Sequence, residues 1–164
     1  MMRQNFPSIQ RNSRHARGFT LIELLIVMVI IGIVATILLG FFIGAYRKTQ
    51  LRDGAVQILT DVRQIRSQAQ RTSVNSTATL SGSVGAPALT YSLTMAGTTT
   101  TKTLLAPISV APYTGYGKTV TYSAPYGELS GSGVIWEVSS SVTSDKLYVK
   151  TVGVTGKAVL SATP

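Results

Sequence analysis

The chain has 164 residues, no cysteine and one histidine, and its 15 basic and 6 acidic side chains give a formal net charge of +9. Without cysteine it has no disulfide framework and no thiol nucleophile. Because His15 precedes a long apolar run, its loss with an N-terminal leader would also exclude ordinary zinc sites and a Ser-His-Asp triad. The composition therefore predicts a protein that is not an enzyme and uses no cofactor or metal.

The first 18 residues form a basic, polar lead in front of an apolar segment. They carry four arginines and no acid, whereas no side chain from Leu24 to Ala45 ionises. As a helix, residues 24–45 are about 33 Å long, enough to cross the roughly 30 Å hydrocarbon core of a bilayer. The pattern predicts a leader over residues 1–18 and a transmembrane helix over residues 19–45.

Glu23 is an acid at the head of this apolar segment, where an unpaired carboxylate costs on the order of 2.5 kcal/mol or more. A secretory signal is cut after its apolar stretch, but here Gly18 stands directly before it. Cleavage after Gly18 would place a new α-amino group on Phe19, within one helical turn of Glu23 or near a neighbouring copy's Glu23. The alternative, an ordinary signal-anchored protein with a buried polar residue, explains the helix but not Glu23.

Residues Arg17–Leu24, with the sequence RGFTLIEL, resemble the leader and N-terminus of type IV pilins and type II secretion pseudopilins. The resemblance implies that a prepilin peptidase cuts between Gly18 and Phe19 and methylates the amine of Phe19. It also implies that Glu23 guides assembly by pairing with the terminal amine of a neighbouring subunit. The expected partners are other pilin or pseudopilin subunits, the peptidase, an inner-membrane assembly platform and, before assembly, the lipid bilayer.

Small residues recur every four positions inside the apolar segment, at Gly32, Thr36, Gly40 and Gly44. Such spacing lets helices approach closely in lipid, while each glycine weakens a helix by roughly 1 kcal/mol relative to alanine. Three interpretations remain open. These positions form a packing seam, they loosen the helix when subunits leave the membrane, or they are simply tolerated.

The helix is predicted to continue over residues 46–72 as an amphipathic segment. Apolar residues recur there at steps of three and four, which is typical of a helix with one face against a core: Leu51, Ala55, Ile58, Val62, Ile65 and Ala69, with Leu59 widening the stripe. Arg52, Arg63 and Arg71 fall beside or opposite this stripe.

Residues 73–164 are rich in Ser, Thr, Gly, Val and Tyr and show short alternating runs, which predict a β-rich globular domain. The predicted fold class is α+β, with the long helix packed on an antiparallel sheet. The run Thr98–Thr101 is predicted to be a surface turn, and Gly153–Gly156 a hairpin turn. The predicted strands are Ser76–Leu80, Leu89–Met95, Thr103–Val110, Thr119–Ser123, Val134–Val138, Lys146–Val152 and Lys157–Ser161.

The end of the helix is similar to that of GspH/FimT-type minor pilins. Arg66, Ser67, Ala69 and Arg71 match their pattern, although Gln68 stands where an acid is common, and Gly156-Lys157 resembles their C-terminal glycine-cation turn. The resemblance implies a pilin-like domain in which two packed β-sheets follow the long helix. No motif aligns over about residues 82–144.

Two functional hypotheses follow. The first is a structural subunit of a type IV pilus or type II secretion pseudopilus, held in the inner membrane by one helix with its C-terminal domain outside the cytoplasm, and later part of a filament. The second is a DNA receptor at a pilus tip, since some FimT-type relatives bind DNA. Without the leader's four arginines the net charge is +5, and the candidate phosphate contacts are Arg66, Arg71, Lys150 and Lys157. Of the remaining acids, Glu128 and Glu137 could approach one another across a hairpin, but they are predicted to be solvated strand or loop residues.

Overall fold

The computed structural model describes residues 19–164, which divide into a unit ending at Phe41 and a unit comprising Phe42–Pro164. One helix, α1, runs from Leu21 to Thr72 and contributes to both units. The predicted leader, including Gly18, lies outside the described residues. The predicted domain limits at residues 18, 45 and 72 stay predictions.

In the first unit, α1 is an apolar helix whose side chains are all exposed. Its most apolar stretch has a mean hydropathy of 3.1, and none of that stretch is buried. Exposing so large an apolar surface to water is unfavourable. The helix is therefore suited to lipid or to other apolar helices, which confirms the prediction of a segment able to anchor the chain in a membrane.

In the second unit, α1 is amphipathic and ends where the sequence predicts. The seven stripe residues are buried, whereas Arg52, Arg63 and Arg71 are exposed. After Thr72, Ser73 has a positive φ of 53°, the left-handed conformation in which helices commonly end.

Nine strands follow α1 and form two antiparallel sheets. The five-stranded sheet has the order β3-β2-β1-β5-β6 and the four-stranded sheet the order β4-β7-β8-β9. The fold is α+β, as predicted. The strand bounds are β1 Ser76–Leu80, β2 Thr90–Met95, β3 Thr98–Thr103, β4 Ile108–Pro112, β5 Thr119–Ser123, β6 Glu128–Leu129, β7 Ile135–Ser140, β8 Thr143–Val152 and β9 Lys157–Ser161.

Strands β1, β5 and β9 have the predicted bounds, and β2, β7 and β8 differ from prediction by a few residues at their ends. The prediction of a surface turn at Thr98–Thr101 is wrong, because these residues form most of β3 and pair with β2. The turn lies instead at Ala96-Gly97, whose φ angles of 49° and 83° suit a two-residue hairpin. Threonine is β-branched and favours the extended backbone of a strand.

The prediction of one strand over Thr103–Val110 is also wrong. β3 ends at Thr103 in the five-stranded sheet, and β4 begins at Ile108 in the four-stranded sheet. Pro107, which has no backbone N–H to donate to a ladder, lies between them. The apolar residues on both sides of this break, Leu104 and Ile108, are buried. The apolar run from Thr103 to Val110 is therefore continuous in the sequence but is divided between two sheets.

The stripe of α1 and both sheets share one hydrophobic core, in which Trp136, Tyr91 and Tyr122 are the largest fully buried side chains. Trp136 Nε1 donates a hydrogen bond to the Gly117 carbonyl at 3.1 Å. This core joins the buried face of α1 to residues of β5 and β9, including Tyr122 and Ala158.

A buried polar contact ties α1 to β2. Tyr91 donates its hydroxyl proton to Asp61 Oδ2 at 2.6 Å, and Gln57 Nε2 donates to the Tyr91 hydroxyl at 3.1 Å. Burial, followed by the contact with Asp61, raises the pKa of Tyr91 above its usual value. Glu128 and Glu137 do not meet, because they lie in different sheets, and Glu137 instead accepts a 2.8 Å contact from Lys146 Nζ.

Candidate functional site

The first described residues form a capped helix start. Thr20 precedes α1, and its Oγ1 accepts a hydrogen bond from the Glu23 backbone N–H at 3.2 Å. Thr20 and Glu23 have the spacing of a capping box, in which a threonine hydroxyl satisfies a free N–H of the first turn. Phe19, directly before this cap, is 82 % exposed. If the chain is cut after Gly18, Phe19 is its first residue and Thr20, the next residue, caps the helix.

The Glu23 carboxylate lies in the first turn of α1, on an exposed part of the helix. Among the residues that the structure describes, it forms no ion pair. A negative charge is favourable at a helix N-terminus, but in hydrocarbon that effect does not replace a cationic partner. No described side chain therefore supplies a cation to this carboxylate. Its predicted role in assembly stays a prediction, as do the cleavage after Gly18 and the methylation of Phe19.

Gly32, Gly40 and Gly44 lie on open helix surface. A Cβ atom built on any of the three meets no atom within 4 Å in the described part of the chain. Space for a close helix neighbour is therefore present at each position. The three interpretations of these residues stay predictions.

The second candidate site is an open groove beside the last turns of α1, with a volume of about 350 Å³. We call it the cationic groove. Its lining includes three cations, and none of the lining residues is acidic. The lining residues are Arg63, Arg66, Ser67 and Gln70 of α1, Tyr122 of β5, Gly156 of the β8–β9 turn, and Lys157 and Ala158 of β9.

Three helix side chains of the groove are held by backbone carbonyls of distant loops and strands. Arg63 donates to the Ala158 carbonyl at 3.1 Å, and Arg66 Nε donates to the Gly127 carbonyl at 3.2 Å. Gln70 donates to the Tyr126 carbonyl at 2.9 Å. Because a guanidinium has five N–H donors, each arginine is fixed by one bond and keeps others for a ligand. The charges are positioned but not neutralised by these contacts.

The β8–β9 turn brings Lys157 to the groove. Gly153 and Gly156 have φ angles of 70° and 60°, and the Gly156 N–H donates to the Gly153 carbonyl at 3.0 Å. This confirms the predicted hairpin turn. The Tyr122 hydroxyl donates to the Gly156 carbonyl at 2.6 Å. Burial raises the pKa of Tyr122 to about 12, although the nearby Arg66 charge opposes this rise.

The structure brings together two of the four residues proposed for DNA binding. Arg66 and Lys157 both line the cationic groove, whereas Arg71 and Lys150 do not. Arg71 is exposed in the last turn of α1, and Lys150 lies in β8 opposite Ile135 and Val159. Sequence reasoning did not identify Gln70 or Tyr122 as part of this site. The spacing of Arg63, Arg66 and Gln70 by three and four residues was the available signal, because it places them on one helix face.

The two buried tyrosines predict a loss of stability at high pH. Both have a folded-state pKa above the unfolded value near 10, so their contribution is complete below pH 10 and is lost as the pH rises through the folded-state pKa, which is about 12 for Tyr122. We expect the free energy of unfolding to fall with rising pH in that window, by at most about 1.4 kcal/mol per tyrosine per pH unit. Urea unfolding followed by Trp136 fluorescence measures it. Tyr122→Phe should reduce the slope of the free energy of unfolding against pH. Tyr126→Phe, at a position 74 % exposed, should leave this slope unchanged. Equal slopes in the wild-type protein and both variants would contradict the assignment of the pH dependence to Tyr122.

A comparison with family models matches residues 13–39 to the prokaryotic N-terminal methylation motif. This range contains Gly18, Phe19 and Glu23 and the first part of the apolar helix. Searches of curated proteins and of solved structures gave no match. The methylation motif, the apolar helix that begins in it and the α+β fold agree with one another. These findings support a type IV pilin-like precursor, because the matched segment is the leader and N-terminal motif found in the type IV pilin and pseudopilin family.

Proposed function

We propose that the protein is a minor structural subunit of a type IV pilus or type II secretion pseudopilus. The observation that carries the proposal is Glu23, which lies in the first turn of an exposed apolar helix and forms no ion pair with a side chain of residues 19–164. The chain inserts in the inner membrane with its C-terminal domain outside the cytoplasm. Prepilin peptidase then cuts after Gly18 and methylates Phe19, and the subunit joins a filament through α1.

Assembly follows from the electrostatics of the first turn. In hydrocarbon, both the Glu23 carboxylate and the Phe19 ammonium are costly when unpaired. Docking a neighbouring subunit so that its amine meets Glu23 removes both costs together. The apolar side chains of α1 then pack on other helices, and close approach is possible at Gly32, Gly40 and Gly44.

We infer that the subunit belongs with the GspH/FimT-type minor pilins and has no enzymatic role. The two-sheet domain behind a long helix, the pattern Arg66-Ser67 with Ala69, and the turn at Gly156-Lys157 support this assignment. The Arg66-Ser67 pair and the Gly156-Lys157 turn both line the cationic groove. Arg66 also donates a hydrogen bond to the Gly127 carbonyl.

Fractionation of cells tests the structural role. A C-terminally tagged chain, expressed with the filament proteins and prepilin peptidase, should be recovered in sheared filaments as a product that begins at Phe19. Gly18→Leu, which removes the small residue at the cleavage site, should leave the uncut chain in the membrane fraction. Recovery of the uncut Gly18→Leu chain in filaments in normal amount would contradict the proposal.

The cationic groove favours one second candidate, a DNA receptor at a pilus tip. Its three cations carry no described ion pair, and it opens to solvent. Gly156 is followed by Lys157, Ala158 and Val159, so one cation stands where FimT-type DNA binders resembling this chain have two arginines. This makes the structural role the stronger proposal.

A salt series on the detergent-solubilised chain tests the DNA candidate. With three phosphate contacts, the logarithm of the association constant for duplex DNA should fall with the logarithm of salt concentration with a slope of about −2.7. Replacing Arg66 and Lys157 by glutamine should reduce the slope to about −0.9. Lys102→Gln, in edge strand β3 and three strands away from Tyr122, is the control. No retention of DNA at low salt would remove this candidate.

A further inference from the structure

The turn between β7 and β8 is fastened to α1 directly after the apolar run ends. Arg47 Nη1 donates to the Val142 carbonyl at 3.4 Å, and Lys48 Nζ lies 3.7 Å from Asp145 Oδ2. Arg47 and Lys48 are two and three residues beyond Ala45, which is about 3 to 5 Å along a helix axis. The two contacts therefore hold this turn at the level where the chain leaves the hydrocarbon, if α1 is inserted as proposed.

The turn also has the composition of a surface that meets headgroups. Val142, at its tip, is 43 % exposed. It is flanked by the hydroxyls of Ser141, Thr143 and Ser144, and the helix opposite presents Arg47, Lys48 and Arg52. An apolar tip among cations and hydroxyl groups suits the boundary between lipid headgroups and acyl chains.

A pocket of about 570 Å³ lies between α1 and the start of β8. Lys48 and Arg52 of α1 and Ser144 and Lys146 of β8 supply donors, Leu51, Leu147 and Ala162 supply an apolar wall, and the Asp145 carboxylate also lines the pocket. Donors beside an apolar wall match the phosphate and the adjoining methylene groups of a phospholipid. The pocket is a second feature, independent of the exposed tip, that points to lipid.

The charges of this pocket are available to a phosphate. In the described part of the chain Arg52 has no ion pair, and the Lys48–Asp145 contact joins side chains that are 73 % and 48 % exposed. Such an exposed pair is worth little, so Lys48 can exchange Asp145 for a phosphate, and the Asp145 carboxylate, whose side chain is 48 % exposed, is then left to solvent. The Lys146 ammonium is instead paired with Glu137 at 2.8 Å, which raises the pKa of Lys146 and leaves the phosphate contact to Lys48 and Arg52.

We propose that the β7–β8 turn and the first basic turns of α1 form a contact surface for anionic phospholipid, with the lipid phosphate held between Lys48, Arg52 and Ser144. The inference rests on the membrane insertion stated under the proposed function. It adds a lipid class and a binding surface on the globular domain to a chain otherwise anchored by its helix alone.

Site-specific fluorescence on the full chain tests this surface, and the lack of native cysteines allows single labels. Val142→Cys and Val154→Cys, each with an environment-sensitive dye, are reconstituted in vesicles of phosphatidylcholine with or without phosphatidylglycerol and with a headgroup-level spin-labelled lipid as quencher. Val154 is exposed in the β8–β9 turn, at the opposite end of the ten-residue strand β8 and roughly 30 Å away. We expect several-fold stronger quenching at position 142, increased by phosphatidylglycerol.

Two further variants separate the possible results. Replacing Lys48 and Arg52 by glutamine should lower the equilibrium constant for docking of position 142 at the headgroups by roughly fivefold per cation, seen as loss of the phosphatidylglycerol-dependent part of the quenching, and Lys150→Gln should not. Equal or absent quenching at positions 142 and 154, or quenching at position 142 that ignores phosphatidylglycerol, would overturn the inference. A label at Phe42→Cys with an acyl-chain quencher reports insertion itself. If that label is not quenched, the proposed membrane anchoring fails as well.

Discussion

A Glu23→Ala variant should be cut by prepilin peptidase and should fail to enter filaments. The substitution removes the carboxylate that is proposed to pair with the Phe19 amine of a neighbour, so that each docked amine stays unpaired in an apolar setting. The expected cost is about 2.5 to 3.5 kcal/mol per subunit, which is roughly a hundredfold in the association constant. Cleavage should persist, because Glu23 lies beyond the Gly18-Phe19 bond. The measurement is the ratio of tagged chain in sheared filaments to processed chain in membranes.

Glu128→Ala is the matched control for loss of a negative charge. Glu128 is exposed in β6, far along the chain from the apolar segment. Its replacement should leave filament incorporation unchanged. Glu23→Gln should behave as Glu23→Ala does, because the amide keeps the shape but not the charge. Normal incorporation of Glu23→Ala would show that the pairing is not needed, even if the protein is a genuine subunit.

A Gly156→Ala substitution should destabilise the globular domain by about 2 to 5 kcal/mol. The φ angle of 60° at Gly156 costs a residue with a side chain about 1–2 kcal/mol. In addition, the new Cβ would lie 2.5 Å from Tyr122 Cε1. The Tyr122 ring is fully buried, so it has little room to move, and overpacking of this kind costs about 1–3 kcal/mol. Urea unfolding followed by Trp136 fluorescence measures the change.

Gly153→Ala separates the two contributions. Gly153 has a φ of 70° in the same turn, but a Cβ there comes no closer than 4.0 Å to any neighbour, the Thr155 Oγ1. It should therefore cost only the backbone part, about 1–2 kcal/mol. Equal losses in the two variants would mean that the contact with Tyr122 does not restrict Gly156. The presence of glycine at position 156 would then not be explained by its contact with Tyr122 in the cationic groove.

Periodicity predicted those parts of the fold in which each residue has a regular environment. The stripe from Leu51 to Ala69 is buried at every predicted position, and β1 and β5 alternate between buried and partly or fully exposed residues. Prediction from hydropathy failed where an apolar run passes from one sheet to the other. Residues Thr103–Val110 read as one strand, but Leu104 and Ile108 enter the core on either side of Pro107. The threonine run at residues 98–101 failed because a fully exposed edge strand shows no alternation.

The two candidate sites differ in how much the sequence discloses. Gly18, Phe19 and Glu23 are adjacent in the chain, so their spacing alone carries the hypothesis. The cationic groove is assembled by hydrogen bonds between distant parts of the chain. Arg66 and Gly127 are separated by 61 positions, and Arg63 and Ala158 by 95. Pairings at such separation leave no local pattern. For the same reason the sequence associated Arg71 and Lys150 with Arg66 and Lys157 by charge alone.

The N-terminus of the protein isolated from cells that contain prepilin peptidase tests the central claim most directly. Intact-mass and peptide mass spectrometry of the membrane and filament fractions should give a chain of residues 19–164 with one methyl group on the amine of Phe19. That result would place a cationic, methylated terminus one helical turn from Glu23. A protein that keeps its leader in both fractions, or one that is trimmed beyond Ala45 and so loses the apolar helix, would contradict the account.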